Sequence, residues 1–211
     1  MKLPLFPASS LVNSADLPEK IRAFLAIFPT ETIIAELTTL QKRLENVLSA
    51  KAVRWTKPEQ IHLSLQFLGN VECNRLTEFE AAIQLAVEGY NVFELRAEKL
   101  GCFPNNRRPR ILWVGLTGKL NDLQHLKEEL DSAFSNVGYV PEKRDFHPHF
   151  TIGRVAELTS TDVKHLVHEI SRCDSKSFGE LNVAEIHLMQ SVLSPKGAEY
   201  RVLKSFPLGN F

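Results

Sequence analysis

Two short runs of this 211-residue sequence present the same side-chain types in the same order. His62-Leu63-Ser64-Leu65 and His149-Phe150-Thr151-Ile152 each read histidine, apolar, hydroxyl, apolar. Side chains along a β-strand point to alternate faces, so histidine and hydroxyl share one face and the apolar pair the other. On this reading Leu63, Leu65 and Phe67 enter a core while His62 and Ser64 face away from it. Phe150 and Ile152 do the same for His149 and Thr151. Two such strands related by an approximate two-fold would bring two imidazoles and two hydroxyls to one cleft. Imidazole titrates near pH ~6.5, so one copy can act neutral as a base and the other protonated as an acid. Hydroxyls can donate to non-bridging phosphate oxygens as negative charge builds there. The set suits in-line attack at phosphorus, with water activated on one side and a leaving oxygen protonated on the other. Nothing in that scheme calls for a metal.

One copy of such a tetrapeptide carries little information, because any half-buried strand alternates in this way. Two copies alone leave catalysis and coincidence both open, and the surrounding elements have to decide. Arg22–Ile27 reads as a buried strand that ends at Pro29. Thr30 then caps a helix carrying Ile33, Ile34, Leu37, Leu40, Leu44, Val47 and Leu48 at helical spacing. Strands are expected at 53–55 and 62–69, and a helix at about 74–88. The second half repeats the grammar: strands at 91–100 and 111–116, then a helix on Leu120, Leu123, Leu126, Leu130, Phe134 and Val137. A strand over 149–155 and a helix marked by Val163, Leu166, Val167 and Ile170 follow. A strand around 181–192, a turn at Ser194-Pro195-Lys196-Gly197 and a returning strand from Tyr200 to Phe206 close the chain. Hairpin and helix-separated strands together predict an α+β fold with antiparallel sheets.

The length fits one compact unit or two intimately joined lobes. Twenty-five basic and twenty-five acidic residues cancel, which argues against an avid, non-specific nucleic-acid binder but leaves room for a local basic patch. Cys73, Cys102 and Cys173 form no C-x-x-C pair and no disulfide framework, which points to a reducing, cytoplasmic setting. No apolar run approaches the roughly 18 residues of a membrane span. Pro4 and Pro7 break the short apolar start, so residues 1–20 are expected to be a loose tail rather than a signal peptide, and 21–211 one domain. Neither GxGxxG nor GxxxxGK[ST] occurs, which removes the usual glycine-rich phosphate cradles.

The flanks of the two tetrapeptides add a resemblance. RWTKPEQIHLSLQFLG and RDFHPHFTIGR resemble the two signature segments of the 2H phosphoesterases, and more narrowly of the RNA 2′,3′-cyclic phosphodiesterases historically called 2′-5′ RNA ligases. RAFLAI is similar to that family's first strand, FPNNRRPRILWVGL to its central loop and strand, and QSVLSPKGAEYRVLKSFPL to its closing hairpin. The resemblance spans about residues 20–208. It implies a bilobal fold, two antiparallel sheets with flanking helices related by a pseudo-two-fold, and an active cleft between the lobes. It also implies hydrolysis of RNA 2′,3′-cyclic phosphate ends to 2′-phosphates without metal or cofactor, with weak reverse 2′-5′ joining in some members. Carried over by motif position, His62 is the proton donor, His149 the proton acceptor, and Ser64 and Thr151 hold the phosphate oxygens. Ser64 stands where Thr is commoner, and Phe150 and Gly153 where Leu and Ala are usual. These departures alter packing more than reactivity. A small cyclic nucleotide of the ADP-ribose 1″,2″-cyclic phosphate type is the alternative substrate, and a non-catalytic RNA-end binding module the alternative class. Nothing in the sequence suggests an obligate dimer, so a monomer is expected.

Further residues have two readings each. Arg154 falls on the opposite strand face from His149, so it contacts phosphate only if a bulge or bend intervenes; otherwise it pairs structurally. Arg107, Arg108 and Arg110 form a basic loop, either a solvated surface or a guide for RNA ends. Phe103 and Tyr200 are candidates to stack on a terminal base, whereas Trp113 is expected in the core. His147-Pro148-His149 lacks the acidic or cysteine neighbours of a metal site. His125, His165 and His168 are expected on solvated helix faces, and His187 needs no special role.

Overall fold

The computed structural model describes residues 18–140, 145–194 and 197–209. The expected tail lies almost wholly outside these residues, as do Pro195 and Lys196 of the closing turn. In chain order the elements are β1 (Lys20–Ile27), α1 (Glu31–Val47), β2 (Val53–Trp55), β3 (Leu63–Glu72), α2 (Leu76–Val87), β4 (Phe93–Phe103), β5 (Ile111–Gly118), α3 (Leu120–Asn136), β6 (His149–Val155), α4 (Ser160–Arg172), β7 (Ser177–Val183), β8 (Glu185–Ser194) and β9 (Gly197–Pro207). The α+β expectation holds. No helix among the described residues is long and apolar enough to cross a membrane.

Every strand pairing is antiparallel, and the hydrogen-bonded order is β7-β4-β5-β6-β3-β1-β8-β9, with β2 on β6. Among the described residues this path has two four-stranded halves that meet at one residue pair, Leu63 on β3 opposite Phe150 on β6. Both side chains are buried, so the junction is anchored in the core. Helices α2 and α3 serve the β3-β1-β8-β9 half: Phe79 and Phe134 pack with ring centroids 5.7 Å apart. Helices α1 and α4 serve the other half, joined by Arg43 of α1 reaching Glu169 of α4 at 2.7 Å.

The helix ends follow from local chemistry. The Thr30 hydroxyl accepts from Ile33 N–H at the start of α1. Thr159 and Asp162 form a reciprocal capping box on α4, and the Asp162 carboxylate also accepts from Ser49 N–H at 2.7 Å. Hydrogen bonds from Thr159 and Ser49, against the opposing effect of burial, hold that carboxyl far below the usual carboxylate range.

At the level of the elements, three sequence expectations need correction. The strand expected around 181–192 is two strands divided at Ala184, β7 pairing with β4 and β8 with β1 and β9. The chain crosses from one half of the sheet to the other there. The buried side of α4 carries Asp162, Leu166 and Glu169, while Val167 is exposed. Phe67 is half exposed rather than buried with Leu63 and Leu65. Two bulges in the β1–β3 ladder shift the register between Ala23/Phe24 and Leu25/Ala26, and they bury Gln66 in place of Phe67.

Candidate active site

The junction of the two halves positions both tetrapeptides. Leu63 and Phe150 face each other and point into the core, so their neighbours point the other way. Counting one residue to either side in antiparallel register sets His62 against Thr151, and Ser64 against His149. Each histidine is thereby opposed to the other copy's hydroxyl. Leu65 and Ile152 are buried as the alternation requires, and the two histidines and two hydroxyls are all partly accessible. Ser64 and Thr151 have no hydrogen-bond partner for their hydroxyls among the described residues.

The two imidazoles are held in the same way. His62 Nδ1 lies 2.8 Å from the Gln60 carbonyl oxygen, and His149 Nδ1 lies 2.6 Å from the His147 carbonyl oxygen. A carbonyl can only accept, so Nδ1 carries the proton in both rings. Nε2 of each ring is then free to take or give one. Gln60 also donates through its side chain to the Ala198 carbonyl, which ties the support of His62 to the β8–β9 hairpin.

Aromatic rings repeat the symmetry. Tyr200 stands edge-on to His62 at 5.2 Å and 89°, and Phe103 stands edge-on to His149 at 5.2 Å and 81°. Phe24 lies 5.0 Å from His62, and Trp113 lies 6.3 Å from His149. Burial lowers the pKa of His62; the Gln60 carbonyl works against this, and the nearby His149 adds to it. Burial likewise lowers that of His149, with the His147 carbonyl opposing and the His147 ring assisting.

Arg154 reaches the cleft by the bulge that strand alternation alone lacks. Leu112 lies opposite Gly153 and Trp113 opposite Thr151, which leaves Ile152 as an extra residue on β6. Arg154 therefore returns to the face of His149 and Thr151. The bulge is pinned by Gln41 of α1, whose buried amide donates to both the Ile152 and Thr56 carbonyls at 2.8 Å.

Of the expected residues, His62, His149, Ser64, Thr151, Phe103, Tyr200 and Arg154 come together. Arg110 is held beside the cleft by its backbone: its N–H donates to Phe103 and its carbonyl accepts from Val155. Its side chain makes no hydrogen bond or ion pair among the described residues. Trp113 is on the cleft face and not in the core, because Leu112, Val114 and Leu116 take the buried side of β5. Phe24 was legible only as part of a buried strand, since its nearness to His62 depends on the β1–β3 register. His125, His165 and His168 are exposed, as expected. His187 is buried, with Nδ1 on the Ser205 hydroxyl at 2.9 Å and its pKa lowered by burial against the pull of Glu185. No group of three or more metal-ligating side chains occurs among the described residues.

Known proteins agree with this architecture. A family model described as LigT-like phosphoesterase matches residues 27–113 and again 115–200, one tetrapeptide in each match. A protein of Methanothermobacter thermautotrophicus named RNA 2′,3′-cyclic phosphodiesterase is 33% identical over 190 residues, covering 90% of this chain and 100% of its own. A protein of the same name from Archaeoglobus fulgidus is 33% identical over 186 residues, covering 88% and 99%. A crystal structure of a Thermus thermophilus protein superposes with a TM-score of 0.73 at 26% identity, covering 89% of this chain and 98% of that one. The apo structure of Escherichia coli LigT, at 22% identity and a TM-score of 0.72, shares the fold over 92% of this chain and 100% of its own. With its two-copy sequence pattern, its curled antiparallel sheet and these matches, the chain belongs to the LigT-like phosphoesterase family.

Proposed function

We propose that this protein hydrolyses the 2′,3′-cyclic phosphate at an RNA end to a 2′-phosphate, using the two histidines as acid and base. The observation that carries this reading is the matched presentation of two free Nε2 atoms, each fixed by a carbonyl two residues earlier, at one junction of the sheet. His149 Nε2 takes a proton from water as the water oxygen bonds to phosphorus. The bond from phosphorus to the 3′ oxygen breaks, and His62 Nε2 gives that oxygen its proton. The proton count balances, and the histidines finish in exchanged states. Ser64 and Thr151 donate to the non-bridging oxygens, and among the described residues their hydroxyls meet no competing partner. The names of the relatives support the substrate, and the motif positions support the division of roles.

Side chains of this chain carry both proton transfers and the charge stabilisation, so the scheme uses no metal. All four motif residues come from one chain, which supports action as a monomer, with residues 21–211 as one bilobal domain. Product analysis on a short oligonucleotide ending in a 2′,3′-cyclic phosphate tests the reading, with a chelator present. Exclusive formation of the 2′-phosphate is expected. A 3′-phosphate product, or turnover abolished by the chelator and restored by a metal, contradicts it.

A further inference from the structure

Both motif imidazoles rest on a carbonyl two residues earlier, yet the two supporting residues differ. Gln60 donates from its side-chain amide to the Ala198 carbonyl, near the tip of the β8–β9 hairpin. His147, its counterpart before His149, makes no side-chain hydrogen bond among the described residues, and its ring lies 6.0 Å from Phe103. Local structure turns the Gln60 side chain toward the hairpin. Ile61 is fully buried, so its neighbours Gln60 and His62 both point away from the core. The turn that carries them is closed by backbone bonds, from Gln60 N–H to the Lys57 carbonyl and from Ile61 N–H to that of Pro58.

A flat sheet would not allow the bond between Gln60 and Ala198. Strand β9 is three places from β3 in the hydrogen-bonded order. At about 4.8 Å per strand that is roughly 14 Å, beyond the reach of one side chain. The half-sheet therefore curls, and its closing hairpin folds back over the cleft face until Ala198 meets Gln60. Tyr200, two residues farther along β9, comes with it. Its ring packs edge-on against His62 at 5.2 Å and against Phe24 at 5.1 Å. Ala198 lies opposite Leu193 on β8, so the amide engages the hairpin where its two strands are still paired.

We propose that Gln60 is a positioning residue, which latches the β8–β9 hairpin over His62 and so controls the solvation of that imidazole but not of His149. The proposal rests on the cyclic-phosphate reading above for the role of His62 as acid. Titratable groups face the His62 ring from two elements, His149 from β6 and Tyr200 from β9, while β1 presents Phe24. Burial is the largest cause of the lowered His62 pKa, with the Gln60 carbonyl opposing it and His149 adding to it. Release of the hairpin removes the Tyr200 ring and admits water, and the pKa then rises toward the ordinary imidazole range. The Gln60 carbonyl persists in any side-chain variant, so the tautomer of His62 is kept. His149 is lowered by its own burial, beside Phe103 and Trp113, and by the His147 ring.

The test follows each imidazole by NMR titration in folded wild type, Gln60→Met and Tyr200→Ala, with kcat/KM measured against pH alongside. Gln60→Met keeps the length of the side chain and removes its donor. Both variants should raise the His62 pKa and leave that of His149 in place. The double variant should raise it no further than Tyr200→Ala alone, because both changes act through one ring. In Gln60→Met the alkaline limb of kcat/KM should move to higher pH while the acidic limb stays. Its maximum should fall by about ten- to a hundredfold as His62 loses the ring packed against it. An unmoved His62 titration in either single variant overturns the latch, as does a His149 pKa that rises as far as that of His62. A further rise on adding Gln60→Met to Tyr200→Ala also overturns it, since Gln60 would then act on His62 directly. A wild type inert toward cyclic phosphate, with the titrations as expected, upholds the latch and overturns the acid role of His62.

Discussion

At the scale of residues, the Nδ1–carbonyl contact does most to shape the chemistry. It fixes the tautomer of His62 and His149, turns Nε2 into the cleft and leaves each ring one site for a proton. Burial pushes both imidazoles below their ordinary range, and this sets the pH dependence. The proposed base, His149, works when neutral, so its lowered pKa keeps it competent to lower pH. The proposed acid, His62, works when protonated, so its lowered pKa brings the alkaline loss of activity to lower pH as well. The kcat/KM profile, which reports the free enzyme, should therefore be a bell with its maximum below about pH 6.5. An anionic substrate favours protonated imidazole, so both limbs of the kcat profile should lie at higher pH than those of kcat/KM. Profiles of both constants check this. A kcat/KM maximum above about pH 8 contradicts it. The histidines and hydroxyls were legible in the sequence because period-two alternation alone puts them on one face. Of the rings around them, Phe103 and Tyr200 were legible as candidates beside turns, but Phe24 was not, since its contact with His62 depends on strand register.

Elements matter here through their irregularities. The bulge at Ile152 decides which way Arg154 points, and simple alternation had placed that side chain on the wrong face. Bulges on β3 similarly move Phe67 out of the core and Gln66 into it. Nothing in the local composition of either strand marks these positions, because a bulge is fixed by what pairs across it and, at Ile152, by a buried amide from α1. Trp113 shows the same dependence. Its indole lies against Gly101 on β4, where a methyl group would collide with the ring. Gly101→Ala should therefore displace Trp113 toward Thr151 and His149. Overpacking of this kind costs about 1–3 kcal/mol. Thermal or denaturant unfolding checks the loss of stability, and turnover should fall in parallel. Full stability with wild-type turnover would show that the tryptophan has room to move.

For the whole molecule, the repeat in sequence is not a repeat of separate lobes. Helix α1 follows β1 yet packs on the half built from β4–β7, where the side chain of Ile33 borders Gly179 of β7. Helix α3 follows β5 yet packs with α2 on the other half. The chain crosses between halves repeatedly, and one of those crossings, at Ala184, has no glycine or proline to announce it. Hydrophobic period gave the elements and their class, but which elements share a half depends on pairings distant in sequence. Strands β3 and β6, one from each half, meet at Leu63 and Phe150, and that junction brings the two histidines to one cleft. The most direct test of that two-histidine account is kcat/KM on a 2′,3′-cyclic phosphate end for wild type, His62→Ala and His149→Ala, each shown to be folded by circular dichroism. Loss of either histidine should lower the rate by about 10²- to 10⁴-fold. A folded protein that keeps wild-type turnover without one of them would contradict it.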